Sequence, residues 1–313
     1  MNPHKIAFLF GAGASFGAGH TTPSRPPLGV ELYDALASQY PGNWGPDSRI
    51  GRRYAAGLRA DFEKTVSNEI CMCEPALNVL EWNRDVAAFF AQFSLDGTNL
   101  DLYTQLLEFL RTAGMLPDTI FTSINYDCLL EQAAAGLGIS VGYGGAPEKS
   151  SDARILKIHG SCNFVTPDLS GWIHHLTNPG SFLECAIEIL PTHNLRQALQ
   201  FRLRPQLSVF PVLSLYAFGK PTQAAGGQIQ QIRNAWLEES GQATHLVIIG
   251  VRCNRDDKHI TEGVIGTGAG SVLFVGGTQD FEGWRSLNPK CQHVGDKFQE
   301  SFEAVCQGVR RNP

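Results

Sequence analysis

Five consecutive apolar positions, Ile6 to Phe10, stand near the start of the chain. A run without polar alternation is what a strand buried on both faces of a parallel sheet requires. Gly11, Ala12, Gly13, Ala14 and Ser15 follow without a spacer, which predicts a tight turn into a helix start, a place where backbone amides approach an anionic ligand. Further strands are expected at Asp118 to Thr122, Arg154 to Ile158, His245 to Ile249 and Ser271 to Val275, with a shorter one at Ile139 to Tyr143. Between the first two strands the pattern changes period. Val30, Tyr33, Leu36, Ala37, Val86, Phe90 and the Leu102 to Leu110 group fall near helical spacing, broken at Asp96-Gly97-Thr98-Asn99. Leu129 to Ala135 predicts a helix stopped by Gly136, Gln228 to Glu238 another, and Phe298, Phe302 and Val305 a last one ending with Gly308 and basic residues. Phe164 to Trp236 is hard to read, although Val209 to Ala217 with Pro211 fits an edge strand.

This alternation predicts an α/β fold: a Rossmann-like parallel sheet with helices on both faces and a helical insertion after the first strand. A single domain spanning 1–313 is expected, with the insertion at about 30–112 and a second, less regular one at about 164–238. Phe89, Phe90 and Phe93 are expected in the core, and Glu63 on a solvated helix face.

Composition narrows the class. Hydrophobic content of 43% with 18% charged residues suits a soluble globular protein, and no apolar stretch is long enough to span a membrane. With no signal-peptide pattern at the first residues, the cytoplasm is the expected location. A formal net charge of -5 argues against a general nucleic-acid binder. The 8 cysteines include no C-x-x-C pair, so reduced thiols and no metal are expected; Cys71 and Cys73 lack a second pair at zinc-finger spacing. His174-His175 likewise lacks a third ligand at metal spacing.

Candidate chemistry gathers where the strands end, since open α/β sheets bind ligands beyond the carboxyl ends of their strands. Asn125 and Asp127 follow the second strand, where an Asn-x-Asp either faces a ligand or caps the next helix; the residues alone leave both open. His159 follows the Arg154 to Ile158 strand, and Gly160 lets the backbone turn away so that the imidazole faces a cleft. Arg25, in the proline-rich His20 to Gly29 loop, stands within reach of a phosphate or ribose, or is simply a surface arginine. Asp256 and Asp257 are expected to cap the following helix. A dehydrogenase fingerprint is not met: Phe16 stands where the third glycine belongs, and Glu31 falls in a helical pattern.

Taken in order, G-A-G-A-S at 11–15, S-I-N-Y-D at 123–127 and K-I-H-G-S at 157–161 resemble the NAD-site motifs of the sirtuin family. The match is closest to a bacterial sirtuin-like branch reading T-x-N-Y-D and K-x-H-G-S, whose members often cleave NAD as antiphage effectors. The resemblance implies phosphate and ribose contacts for Gly11, Ala12, Gly13 and Ser15, a nicotinamide-side pair in Asn125 and Asp127, and a catalytic His159. It extends less specifically to the loops at Gly250 and Gly277, which would hold the ribose and adenine. The implied function is an NAD glycohydrolase releasing nicotinamide and ADP-ribose, in abortive infection, as a homo-oligomer or under a partner such as a HerA-type ATPase. An NAD-dependent protein deacylase or ADP-ribosyltransferase, and a non-catalytic NAD-sensing subunit, are the alternatives. Three departures weigh against the deacylase: the paired C-x-x-C zinc module is missing, Ile124 replaces the family glutamine, and T-T-P-S-R-P-P-L-G replaces its G-I-P-D-F-R loop.

Overall fold

The computed structural model of the chain describes residues 5–55, 75–144, 152–178, 181–204, 206–214, 220 and 222–310. Expectations for Glu63, Cys71 and Cys73, and for most of the loop between Gly144 and Asp152, lie outside the described residues. In chain order the elements begin with β1 (Ile6–Phe10), α1 (Ala12–Gly17), β2 (Thr21–Thr22), α2 (Gly29–Gln39), α3 (Pro41–Trp44), α4 (Arg49–Ala55), α5 (Ala76–Phe90), β3 (Ser94–Leu95) and α6 (Leu102–Thr112). Then come β4 (Thr119–Ser123), α7 (Leu129–Gly136), β5 (Val141–Gly142), β6 (Ala153–Lys157), β7 (Gly160–Val165), β8 (Glu188–Ile189), α8 (Leu195–Arg202) and β9 (Pro211–Leu213). The last part holds α9 (Gly226–Gln242), β10 (His245–Ile249), α10 (Lys258–Ile265), β11 (Ser271–Val275), α11 (Thr278–Leu287), β12 (Cys291–Gly295) and α12 (Phe298–Arg310).

Seven strands form one sheet in the order β12-β11-β10-β1-β4-β6-β5. Every adjacent pair in it is parallel. The α/β architecture expected from the apolar runs is therefore present, and its central strand is the first one. Side-chain alternation along β1 divides the core: Ile6, Phe8 and Phe10 enter the cluster that packs α2, α5, α6, α7 and α12, whereas Ala7 and Leu9 enter the cluster of α9, α10 and α11. Phe8 stacks on Phe10 and on Phe121 of β4, with ring centroids 5.6 and 5.7 Å apart. Phe89, Phe90 and Phe93 are buried in the first cluster as expected.

A three-stranded antiparallel sheet, β8-β7-β9, sits beside the main one. Pro211 begins β9 at its edge, the position where a missing N–H breaks no ladder bond. α7 ends at Gly136, where the stop is expected, with Leu137 as its cap and Gly138 taking the left-handed φ of 68°. α12 ends at Arg310, among the expected basic residues, and Gly308 lies inside its last turn, where an added Cβ would stand 2.4 Å from Leu273 Cδ1, so this glycine also serves close packing on β11. No described helix is long and apolar enough to cross a membrane.

Candidate functional site

From β1 the chain proceeds through β4 to β6 on one side and then returns to place β10 on the other. The crevice at this reversal is where an open α/β sheet binds ligands. Three glycines let the two strand ends meet there. Gly11 N–H donates to Ile249 O at 2.9 Å and Gly13 N–H to Gly250 O at 3.0 Å. A Cβ on Gly11 would lie 2.5 Å from Gly250 O, one on Gly13 2.7 Å from Gly250 Cα, and Gly250 itself has φ +63°. No larger side chain fits this crossing. It also engages the Gly11 and Gly13 amides with β10.

Above the crossing opens a cavity of about 660 Å³. Ala12, Gly13, Ser15, Arg25, Asn125, Asp127, His159, Gly250 and Gly277 all line it, with Gly11 directly behind. Residues chosen at five separate strand ends thus share one space.

The polar side of the cavity is knitted from the motifs themselves. Asn125 Nδ2 donates to Gly11 O at 2.9 Å and to Ser15 Oγ at 3.0 Å. Ser15 Oγ in turn shares a 3.0 Å hydrogen bond with the Tyr103 hydroxyl of α6. With both amide hydrogens engaged, Oδ1 is the Asn125 atom left to act on a ligand, and it is an acceptor. Asp127 serves the chain as well as the cavity: Oδ1 accepts from Leu129 N at 3.2 Å in a turn at the start of α7, and its carbonyl accepts from Lys157 Nζ at 2.6 Å. Lys157 and Glu131 form a buried pair at 3.4 Å. Burial pushes the Glu131 carboxyl up, partly offset by Lys157; burial works to lower Lys157, but Glu131 and its neighbours outweigh that and leave it raised. The lysine of K-I-H-G-S therefore holds the loop of S-I-N-Y-D in place.

His159 lies at the corner between the two sheets. Gly160 takes φ +76°, and a Cβ there would stand 2.1 Å from Val212 O. The His159 carbonyl accepts from Ser214 N at 2.8 Å, and Arg233 Nε donates to Ile158 O at 3.0 Å. Its ring is buried and makes a 2.7 Å Nε2 to Nε2 contact with His259 of α10. Burial, then His259, Lys220 and Arg233, hold the His159 imidazole well below the usual histidine range. Burial, then Arg233 and Lys220, take His259 down to about 3. Both rings are neutral near pH 7.

Arg25 is exposed on the opposite rim, its guanidinium 3.9 Å over the Phe16 ring. Glu31 caps α2, accepting from Leu28 N at 3.0 Å. Asp257 precedes α10 as expected, yet its side chain makes no cap bond and it lines the cavity. Asp280 also lines it, with Oδ1 accepting from Cys253 N at 3.1 Å. Apolar residues Pro26, Leu28, Leu32 and Phe90 form another wall.

Three participants are not among the residues singled out from the sequence, Tyr103, Lys220 and His259, and Lys157 stands in the K-I-H-G-S motif without a role expected for it. Tyr103 and His259 are far in sequence from the motifs they touch. The one available signal for His259 is its position in the helix start following β10, another strand-end location.

The fold and site together define an α/β protein with a polar ligand crevice at its topological switch point. No family model and no curated protein matches the chain. Among solved structures it is similar to a Sir2 enzyme studied for mechanism and regulation, at 15% identity, covering 99% of this chain and 93% of that one, with a TM-score of 0.49. It is also similar to a Sir2 homolog in complex with NAD, at 13% identity over 98% of this chain and 89% of that one, with a TM-score of 0.47. A Sir2 protein bound to a myristoylated histone peptide is similar at 15% identity, over 99% and 92% of the two chains, with a TM-score of 0.45.

Proposed function

We propose that the chain cleaves the bond between nicotinamide and ribose in NAD, releasing nicotinamide and ADP-ribose. The observation that carries this reading is the convergence of the three motifs on one cavity, with Asn125 bonded to Gly11 and Ser15 and with His159 on the same wall. The pyridinium of NAD is already a good leaving group. The protein need only hold the dinucleotide, stabilise an oxocarbenium-like ribose and place a water. Asn125 Oδ1 accepts a hydrogen from that water, which points the oxygen lone pair at the ribose. Neutral His159 meets the ribose hydroxyls and takes up a proton as general base. The pyrophosphate lies over the stretch from Gly11 to Ser15 and Gly250, Arg25 closes on it from the rim, and the adenosine end runs towards Gly277. Asp127 shapes the nicotinamide side.

Chromatography of NAD incubated with the purified chain, alone and with the product of an adjacent gene, tests the reading. Nicotinamide and ADP-ribose should appear together, and Asn125→Ala should lower the rate about 100-fold or more, as removal of a preorganised polar group does. Intact NAD throughout, or undiminished turnover in a folded Asn125→Ala, overturns it. Formation of O-acyl-ADP-ribose when an acylated peptide is added favours the deacylase instead. The proposed defence role and control by a HerA-type ATPase or by self-association rest on the motif resemblance. Light scattering of the chain with such a partner is their first check, and a lone monomer counts against them.

A further inference from the structure

The contact between His159 and His259 has no counterpart in the roles assigned above. Two imidazole nitrogens 2.7 Å apart must share one proton: two N–H groups would collide, and two lone pairs would repel. The tautomer of one ring therefore dictates that of the other. The rings meet at 64° with centroids 4.9 Å apart, so the contact is edge to face and directed through the nitrogens.

His259 is itself held in place. Its carbonyl accepts from Trp236 Nε1 of α9 at 3.0 Å, and Trp236 is fully buried. Gly263, one turn further along α10, leaves just enough room for that indole: a Cβ would stand 2.3 Å from Nε1. His259 is absent from the cavity lining, whereas His159 belongs to it. A ligand would thus meet one ring and be influenced by the other.

We propose that His259 is a positioning residue that, through its Nε2 contact, orients the His159 ring and keeps it neutral and in a single tautomer. This inference rests on the reading of His159 as the base. The charged groups acting on both rings are Lys220 from the segment before α9 and Arg233 on α9; the Ile124 backbone hydrogen-bonds the His159 ring, and Asp257 before α10 and Tyr126 beside Asn125 act on Arg233. The two cations oppose a charged imidazole on either ring, and Asp257 tempers Arg233. A neutral histidine pair is the arrangement consistent with that field.

The test combines kinetics with 15N NMR of histidine-labelled protein, using His259→Phe and His259→Gln. In the wild type the His159 nitrogens should report one tautomer and no protonation across about pH 5.5 to 8. His259→Phe should displace the His159 nitrogen shifts and raise the pH at which that ring protonates, with burial, Lys220 and Arg233 still opposing the charge. On NAD, His259→Phe should lower kcat by about tenfold or more with KM within about threefold, and the acid limb of its kcat/KM profile should move to higher pH. His259→Gln, whose amide can still meet Nε2, should recover part of kcat. Unchanged His159 nitrogen shifts in a folded His259→Phe overturn the proposal, as does a kcat within about twofold of wild type with the same acid limb. The NMR experiment needs no turnover, so a chain that leaves NAD intact refutes the hydrolase reading while the histidine pair is still judged.

Discussion

At the scale of single residues, the site is a set of atoms whose bonding capacity is already largely committed. Asn125 has given both amide hydrogens to the glycine turn, so what remains is its acceptor oxygen. His259 and His159 are kept from charging by burial and by two nearby cations. The latter has a consequence for stability. Both histidines have folded-state pKa values below that of a free imidazole, so on acidification the unfolded chain takes up protons that the folded chain refuses. Stability is therefore lost as pH falls below about 6.5, and for His259 the loss continues to about 3. By about pH 5 that single group accounts for about 2 kcal/mol. Denaturant unfolding between about pH 7 and 5 should show the decline, and it should be shallower in His259→Phe, which has no imidazole left to protonate at that position. An identical slope in the two proteins would contradict the buried neutral assignment.

At the scale of elements, what was legible in the sequence follows from how each element is buried. β1, β10 and β11 are covered on both faces, and their near-continuous apolar runs announce them; β4 is as fully buried but carries only Ile120 and Phe121 between threonines and a serine. β12 is an edge strand, Cys291 to Gly295, with only its first residue buried, so C-Q-H-V-G carries no such run. β7 is wholly buried, but its Gly-Ser-Cys-Asn-Phe-Val sequence mixes polar and apolar residues. Its polar groups find partners only in the folded chain, as Asn163 Nδ2 does with the Leu190 carbonyl at 3.2 Å. The strand-end residues were legible because the pattern locates strand ends, whereas the His159 to His259 contact joins elements 100 positions apart. The same distinction separates local propensity from packing in α10. Alanine is the better helix former by about 1 kcal/mol, so propensity alone makes Gly263→Ala stabilising. Its Cβ would meet the buried Trp236 ring at 2.3 Å, and a rigid indole between α9 and α10 has nowhere to go. Overpacking of this kind costs about 1 to 3 kcal/mol. Gly263→Ala should thus be less stable in chemical denaturation and, by pushing α10 away, should also weaken the bond from Trp236 to His259; a more stable variant would mean that α10 yields without cost.

Over the whole molecule, the two ends of the sheet have separate tasks. The carboxyl ends of β1, β4, β6 and β10 surround the cavity, while the opposite end is fastened by Glu239 of α9, which pairs with Lys5 just before β1 and with Arg154 near the start of β6. One carboxylate thereby ties a helix to two strands that flank β4. Burial alone lifts the Glu239 carboxyl, but hydrogen bonds from Lys5 and Arg154 outweigh it and leave it below the ordinary range. A carboxylate with a depressed folded-state pKa stabilises the fold above its unfolded value, about 4.5, and loses that contribution as pH falls through the folded one. Glu239→Gln keeps the shape but removes the charge. At neutral pH it should lose about 2 kcal/mol, the scale of hydrogen bonds to a charged group. The gap from wild type should close as pH falls through the lowered folded-state pKa, below which both side chains are neutral. Because the change lies at the end of the sheet away from the cavity, ligand turnover by the folded fraction should stay as it was. Unfolding midpoints across pH, measured beside NAD turnover, test both halves of this claim: a variant that keeps its stability shows that the ion pairs contribute nothing, and one that keeps its stability but loses activity shows that the two ends of the sheet are not independent.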